Sequence, residues 1–345
     1  MERLAVIIVN YRTPELAIAC LDSVRAARAS FADIKAIIVD GGSGDASADM
    51  IARHISDGGD EEWAELLPLP INGGFAFANN RALMTLAAKG EVPDLIALIN
   101  PDARVTPGAL ESLAALLRRE PLAGAAGAQL IHEDGRTQGS AFRFPSLRGE
   151  FCRGARTGFI DRLLGQSPPR IDAEEAGEVP WVTGAAVMFR TSALGSVRLF
   201  DEGFFLYFEE TELMWRLRRA GWQIWHEPAA RVVHAGGAAT RIRDPDTGLP
   251  LPQRMPRYWY ESRRRYFALV GGRAYALLVG LAWLFGYLLW QVRRVVTRAP
   301  IDGPSRPAAD LVAYGLWPKA HDVALAAPDF ATAPAEAPVW MMHPS

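Results

Sequence analysis

Short apolar runs alternating with helix-periodic segments are the feature that most limits the fold of this chain. Residues 4–9 form one run, followed by Asn10-Tyr11-Arg12 and by Thr13-Pro14, a helix start with apolar residues at Leu16, Ala19, Cys20 and Val24. Residues 34–39 form a second run ending in Asp40-Gly41-Gly42-Ser43-Gly44-Asp45, with Asp45 or Ser47 suited to cap the next helix. A third run at 66–69 leads into Asn72-Gly73-Gly74 and a helix over 75–89, closed by Gly90. Leu95–Ile99 is the fourth, followed by a helix over 107–119. This β-α-β-α-β-α-β-α order predicts an α/β fold with a parallel sheet covered on both faces.

The fourth run stops abruptly at Asn100-Pro101-Asp102. Pro101 cannot donate to a sheet ladder and biases Asn100 towards an extended conformation, so a carboxylate sits where a central strand leaves the sheet. In open α/β sheets that rim is where ligands bind. Thr106-Pro107 supplies an N-cap and an N1 proline for the following helix, which frees Asp102 from capping.

The alternation then breaks. Residues 124–131 read as a strand, 132–135 as a turn, and 143–180 as surface loop with short helix. Residues 181–190 are a strand with small residues, 200–208 are aromatic and extended, and 209–220 form a helix stopped by Gly221. Two short strands are expected at 222–225 and 231–234, and a mobile loop with four prolines at 243–256. Residues 258–267 interleave aromatics with Arg263, Arg264 and Arg265, and 274–290 carry no charge. As a helix, that uncharged segment reaches about 26 Å, slightly short of a ~30 Å hydrocarbon core. Arginines flank both of its ends, which suits a spanning helix, an in-plane one or a helix buried against protein. Residues after 300 are rich in Pro and Ala and read as an irregular tail.

With 345 residues, half of them apolar, the chain has ample material for a core. A formal charge of −2 provides no basic field, so nucleic acid is not an expected partner. Cys20 and Cys152 support neither a disulfide framework nor a cysteine-rich metal site, and they fit a reducing, cytosolic environment. Residues 4–9 are too short for a secretory signal.

Asp40, at the end of the second strand, is placed to bind a ribose or base, although a turn before Gly41-Gly42 uses the same residue. The first strand lacks a G-x-G-x-x-G turn, which removes most support for a nicotinamide-dependent enzyme. Asp102 and His234 suit Mg2+ or Mn2+ bridging a diphosphate, with His132 and His226 competing for the histidine role. Glu209 and Glu210 open a helix directly after aromatic residues. The helix dipole favours their ionised form while desolvation raises the pKa, a setting for a general base or for a plain dipole-matched helix start. Glu212 can pair with Arg216 one turn on.

Together these residues resemble the family 2 glycosyltransferases, in particular their rhamnosyltransferase-like bacterial branch. The segments carrying the resemblance are Val-Ile-Ile-Val-Asn-Tyr at 6–11, Val-Asp-Gly-Gly-Ser-Gly-Asp at 39–45, Asn-Gly-Gly-Phe-Ala-Phe-Ala-Asn-Asn at 72–80 and Leu-Ile-Asn-Pro-Asp at 98–102. Val-Thr-Gly-Ala-Ala at 182–186, the stretch from Phe200 to Leu213 and His234-Ala235-Gly236 continue it. The resemblance implies a GT-A fold, Rossmann-like with a mostly parallel central sheet, extended by the C-terminal apolar helical segment. It implies a glycosyltransferase domain at 1–240, with a nucleotide-sugar half at 1–131 and an acceptor half at 132–240. A loop at 241–257, a membrane-associating segment at 258–299 and a tail at 300–345 follow.

The resemblance also assigns roles. Donor contacts fall to Asn10, Tyr11, Asp40, Asn72, Gly74, Asn79, Asn100 and Asp102, and the transferred sugar lies near Trp181, Thr183 and Gly184. Asp102 stands for the last acid of the family's D-x-D motif and His234 completes a Mg2+ or Mn2+ site. Glu210, beside Glu209, takes the base position, where the family commonly has Asp. Asn100 replaces the first D-x-D acid and is a poorer metal ligand. The implied reaction is an inverting transfer from a nucleotide-diphosphate sugar, rhamnose by branch, to a lipid-linked or polysaccharide acceptor at the cytoplasmic membrane face. UDP- or GDP-linked donors and a catalytically silent nucleotide-sugar-binding protein are the alternatives.

Overall fold

The computed structural model describes residues 2–31, 33–236, 254–298, 304–332 and 337–342. Its first half runs β1 (Arg3–Asn10), α1 (Pro14–Arg25), β2 (Asp33–Asp40), α2 (Ser47–Asp57), β3 (Ala64–Pro68), α3 (Phe75–Ala88) and β4 (Leu95–Ile99). β3, β2, β1 and β4 lie side by side and parallel. β1 and β2 pair without a slip from Arg3 opposite Asp33 to Asn10 opposite Asp40, so the two polar residues that end them emerge together. Ile and Val residues of these strands are buried on both faces, which favours an all-parallel block under helices.

After β4 a three-residue turn reverses the chain into β5 (Ala103–Val105) and α4 (Ala109–Arg119). The expected helix start at Pro107 shifts by two residues. Thr106 Oγ1 donates to the Arg231 carbonyl (2.8 Å) instead of capping, and Gly108 turns left-handed (φ 83°) before Ala109.

The second half runs β6 (Ala123–Ile131), β7 (Ala141–Phe142), α5 (Leu147–Ala155), α6 (Gly158–Leu163), β8 (Arg170–Ile171), β9 (Gly177–Val179), β10 (Trp181–Val182), β11 (Ala186–Arg190), α7 (Thr191–Val197), α8 (Glu209–Arg219) and β12 (Gln223–His234). β11 inserts antiparallel between β4 and β6, and β12 joins β6 to β5, extending the sheet to β3-β2-β1-β4-β11-β6-β12-β5. Every residue of β6 is buried, and its small side chains let neighbouring layers close in: a Cβ on Gly127 would lie 2.5 Å from Val182.

Three local expectations change. The two short strands at 222–225 and 231–234 are one strand, β12, irregular between Glu227 and Arg231. Region 143–180 holds two helices and two short strands besides loop. Residues 200–208 form turns rather than an extended strand, with Tyr207 and Phe208 both at φ 70°. The expected loop at 243–256 lies outside the described residues up to position 253.

α9 (Arg257–Thr297) is not a straight rod. Gly272 (φ 84°, ψ 172°) breaks it into two arms that fold back on each other. Arg263 of the first arm donates to the Val279 carbonyl of the second (3.4 Å), and Tyr260 packs with Trp283. α5 crosses the second arm at a glycine pair, since a Cβ on Gly154 would overlap the Trp283 carbonyl and one on Gly286 the Phe151 carbonyl. The segment 274–290 is therefore two-faced: Ala276, Val279, Trp283 and Trp290 are buried while Leu278, Leu281, Phe285 and Leu288 are exposed.

Arg263, Arg264 and Arg265 are buried in ion pairs rather than turned to a surface. Arg263 binds Glu150 (2.6 Å), Arg264 binds Asp322 (2.7 Å) and Arg265 binds Asp201 (2.8 Å). The tail expected to be irregular is thereby tied down, with Asp322 on Arg264, Asp310 on Arg254 (2.5 Å) and Trp340 Nε1 donating to the Gly73 carbonyl (2.9 Å).

Burial raises the proton affinity of Glu150, but Arg153 and Arg263 outweigh it and hold the carboxyl at about 2, below the ordinary 4.5. A depressed folded-state pKa contributes stability above about 4.5 that is lost as the pH falls towards 2. Glu150→Gln should destabilise the fold by roughly 3 kcal/mol at neutral pH by leaving Arg263 buried without its partner. Melting temperatures between about pH 5 and pH 3 should fall more steeply for the native chain than for this variant; equal slopes would exclude the linkage.

Candidate active site

The paired ends of β1 and β2 build the first wall. Asn10 Nδ2 donates to Asp40 Oδ1 (2.8 Å), and the Asn10 carboxamide oxygen accepts the Thr13 amide (3.1 Å). Ser43 donates its hydroxyl to Asp40 Oδ1 (2.6 Å) and its amide to Asp40 Oδ2 (3.1 Å), while accepting the Arg12 amide (2.9 Å). Asn10 and Asp40 are thus buried and fixed before any ligand arrives. Ser43 and Arg12, which the sequence did not single out, complete the wall. Tyr11 stands at its mouth, 39% exposed.

The loop after β3 closes on the same place. Gly42 is left-handed (φ 70°), and a Cβ there would sit 2.6 Å from the Ile71 backbone, so the Asp40 loop and the Asn72 loop touch. Asn72 Oδ1 accepts the Gly74 amide (3.1 Å). Gly74 (φ 89°) faces the Phe205 carbonyl, which accepts the Phe75 amide (3.0 Å); any side chain at 74 would overlap that carbonyl. Asn79 is buried one turn into α3 and donates to the Phe75 carbonyl (2.8 Å). Beside it, Asn80 exchanges hydrogen bonds with the Phe200 backbone, and Arg81 forms a buried ion pair with Glu202 (2.6 Å), anchoring the 200–208 loop on α3.

Asp102 and His234 meet where the β4 turn faces the end of β12. The β5 pairing aligns Ala103 with His234 and brings His234 Nε2 to 3.3 Å from Asp102 Oδ1. Gln138 orients the histidine. Its Nε2 donates to the His234 carbonyl (2.5 Å), which turns its Oε1 to His234 Nδ1 at 3.1 Å. The Nδ1–H of the ring donates to that oxygen, so in the neutral ring Nε2 presents a lone pair towards the Asp102 carboxylate. Two electron donors aimed at one point, with the histidine held from behind, suit a divalent cation. Among the described residues no group of three or more His, Cys, Asp and Glu side chains gathers as a metal site, so this pair has no third such ligand. Of the two competing histidines, His132 shares Gln138 with His234 and His226 lies further back along β12. His226 is buried and desolvation lowers its pKa to about 4. His132 lies 3.0 Å from Gln138 Nε2.

The third wall carries the acids of α8. The Asn100 amide donates to the Ala185 carbonyl (2.9 Å), which joins the β4 turn to the Thr183-Gly184-Ala185 bend. Gly184 lies against Glu210, whose Cβ and Cγ are 3.6 Å from where a Cβ would be, an ordinary van der Waals distance. Glu209 is buried, and neither Glu209 Oε2 nor Glu210 Oε2 has a hydrogen-bond partner. Burial raises the pKa of both, and the Glu210 charge raises that of Glu209 further. The backbone hydrogen bond from Gly184 draws Glu210 the other way. Glu212 instead pairs with Arg216 (2.7 Å) and is structural. Trp181 stacks on Phe142 (4.8 Å between centroids) and donates to the Arg143 carbonyl (3.0 Å).

Strand-end acids, a histidine–carboxylate pair and desolvated carboxylates thus converge through direct backbone contacts. Comparison with known proteins shows the family and the fold. Residues 5–197 match the family described as Glycosyl transferase family 2. A curated protein of Mycobacterium tuberculosis, N-acetylglucosaminyl-diphospho-decaprenol L-rhamnosyltransferase, is 31% identical over 224 residues, 63% of this chain and 71% of its own. Among solved structures, a mannosyltransferase from Pyrobaculum calidifontis in complex with GDP-Man and Mn2+ superposes with a TM-score of 0.53 at 16% identity, over 90% of this chain and 79% of that one. GalNAc-T7 with UDP, GalNAc and Mn2+ gives 0.54 at 15% identity, over 92% and 59%. The fold is GT-A, and the chain belongs to glycosyl transferase family 2 as a rhamnosyltransferase-like member.

Proposed function

We propose that this glycosyltransferase moves a sugar, L-rhamnose by its likeness to the mycobacterial protein, from a nucleoside-diphosphate donor to a hydroxyl of a lipid-linked acceptor, with inversion. The observation that carries the reading is the position of Glu210: desolvated, against Gly184, and one backbone contact from the turn that holds Asp102. Asp40, fixed by Asn10 and Ser43, receives the nucleoside. Glu210 takes the proton of the acceptor hydroxyl, and the oxygen attacks the anomeric carbon from the face opposite the diphosphate, which leaves with the bonding pair. Asp102 and His234 would hold a divalent cation, Mg2+ or Mn2+, whose charge would offset that of the departing diphosphate. Mn2+ in the two solved GT-A relatives supports that choice of ion.

The base must be ionised to act, so activity falls as the pH drops through the raised Glu210 pKa. The acid limb of the kcat profile should lie above the ordinary carboxylate value of about 4.3. Glu210→Gln should lower transfer by about 100-fold or more while nucleoside-diphosphate binding persists. A panel of nucleotide sugars with Mn2+ or Mg2+, followed by product release, reads both; transfer unchanged in the variant would remove Glu210 as the base.

The second arm of α9 supports action at a membrane surface. Leu278, Leu281, Phe285, Leu288, Val292 and Val295 repeat at intervals of three and four residues and are 47–69% exposed. Arg293 lies beside the last turns of this stripe and Arg298 beyond it. With its opposite face covered by α5 and the first arm, the helix is suited to lie in the plane of an anionic leaflet rather than to cross it. The chain's two described cysteines are both free, in keeping with the cytoplasmic side. Leu281→Asp with Leu288→Asp should release the protein from phosphatidylglycerol vesicles in a flotation assay with its melting temperature nearly unchanged; retained binding would place the membrane contact elsewhere.

A further inference from the structure

A cavity of about 650 Å³ opens between the first arm of α9, the turn at 203–205 and the C-terminal segment. Neither the strand-end acids nor Glu210 lines it. It nevertheless shares two residues with the site described above. Phe205 faces the cavity while its carbonyl holds the Phe75 amide, and Trp340 faces it while its indole holds the Gly73 carbonyl. A ligand here is separated from the donor loop by little more than these side chains. The 203–208 stretch that forms part of its wall leads directly into Glu209 and Glu210.

The lining is two-natured. Phe205 stands between Tyr258 and Trp340, with 5.1 Å between centroids on each side, an aromatic wall. Arg257, Arg264, Arg265 and Lys319 bring four positive charges, against Glu261 and Asp322 in the lining and Asp201 behind Arg265 (2.8 Å). Asp322 is already taken by Arg264 (2.7 Å) and by the Lys319 amide (2.6 Å), and Glu261 by Arg257 (2.9 Å). That leaves one positive charge in excess, on Lys319, whose ammonium is pushed below the usual lysine range by burial and the neighbouring Arg264, so an anion beside it would be favoured. An anion joined to an apolar body matches both parts. α9 also links the cavity to the proposed membrane face, because its first arm lines the one and its second arm carries the other.

We propose that this cavity is the phosphate subsite for the acceptor: Lys319, Arg257 and His321 hold the phosphate of a lipid-linked sugar, and Phe205, Tyr258 and Trp340 cover the start of its hydrocarbon. The assignment rests on the transferase function proposed above and adds to it where the acceptor enters. The sugar beyond the phosphate passes Phe205 towards Glu210, and the hydrocarbon leaves towards the second arm of α9.

The test is titration calorimetry of the full chain with farnesyl diphosphate, alongside inorganic pyrophosphate and farnesol. Farnesyl diphosphate should bind at least about tenfold more tightly than either fragment, since both halves of the cavity are engaged. Lys319→Glu should weaken it by about tenfold or more, and Lys319→Arg should retain it, with melting curves confirming that both variants fold. An unchanged affinity in Lys319→Glu would overturn the subsite. So would displacement of farnesyl diphosphate by a nucleoside diphosphate, which places it in the donor site, or pyrophosphate binding equally well, which marks a free-phosphate site. Equal competition by phosphatidylglycerol vesicles would reassign the cavity to bulk lipid. Failure of every nucleotide sugar to bind the native chain would instead remove the transferase reading, a result distinct from all of these.

Discussion

The hydrogen bond from the Phe75 amide to the Phe205 carbonyl is the joint on which the site depends. It couples the start of α3, in the strand-and-helix block that ends in Asn10 and Asp40, to the loop that delivers Glu209 and Glu210. The approach is possible only because position 74 is glycine, in a backbone region (φ 89°, ψ 179°) that is essentially closed to other residues. Buried polar contacts hold the loop on both sides of that joint: Asn80 on the Phe200 backbone, Arg81 on Glu202, Arg265 on Asp201, and the Ser262 hydroxyl on the Leu206 carbonyl (3.0 Å). The acids of α8 are therefore placed by contacts from two separate layers, and their own helix start sits at left-handed Tyr207 and Phe208.

The electrostatic plan follows from where water is excluded. Glu150, Asp201 and Asp322 are buried, but each meets an arginine of the first arm of α9, so three consecutive arginines pin three different parts of the chain to one helix. Glu209 and Glu210 are desolvated with no cation among their hydrogen-bond partners, and burial raises their pKa values. The carboxylates of the ion pairs are matched by arginines, whereas Glu209 and Glu210, the pair proposed to meet the acceptor, each keep a carboxylate oxygen without a hydrogen-bond partner. That contrast sets Glu210 apart from Glu212, two residues away and bound to Arg216.

Much of the wall proposed to face the nucleotide was legible because a parallel β-α repeat carries its ligands at the strand ends, and the strand ends could be read from where apolar runs meet Asn10, Asp40 and Asp102. What was missed depended on distant partners. Gln138 orients His234 across 96 residues and has no local pattern. The 200–208 loop has the aromatic composition of a strand, yet packing of Phe208 on Trp259 and Tyr266 accompanies a backbone that propensity does not anticipate. The break at Gly272 falls in a single glycine pair, Gly271-Gly272, beside a long apolar run, so the two arms read as a continuous segment. The tail's composition pointed to irregular chain, while its order comes from single side chains such as Asp322 and Trp340.

Asn100-Pro101-Asp102 carries a single acid, and the second group of the proposed ion site comes from geometry: β5 pairs with β12 so that His234 faces Asp102, and Gln138 holds the ring from behind. The central claim is that the strand-end acids and this histidine form one donor site with its ion. The most direct measurement is anomalous scattering from Mn2+ in crystals grown with a nucleoside diphosphate. The expected result is a single ion contacting Asp102, His234 Nε2 and the diphosphate, with the nucleoside against Asp40. An ion bound away from Asp102 and His234, or a nucleotide that leaves Asp40 untouched, would contradict it.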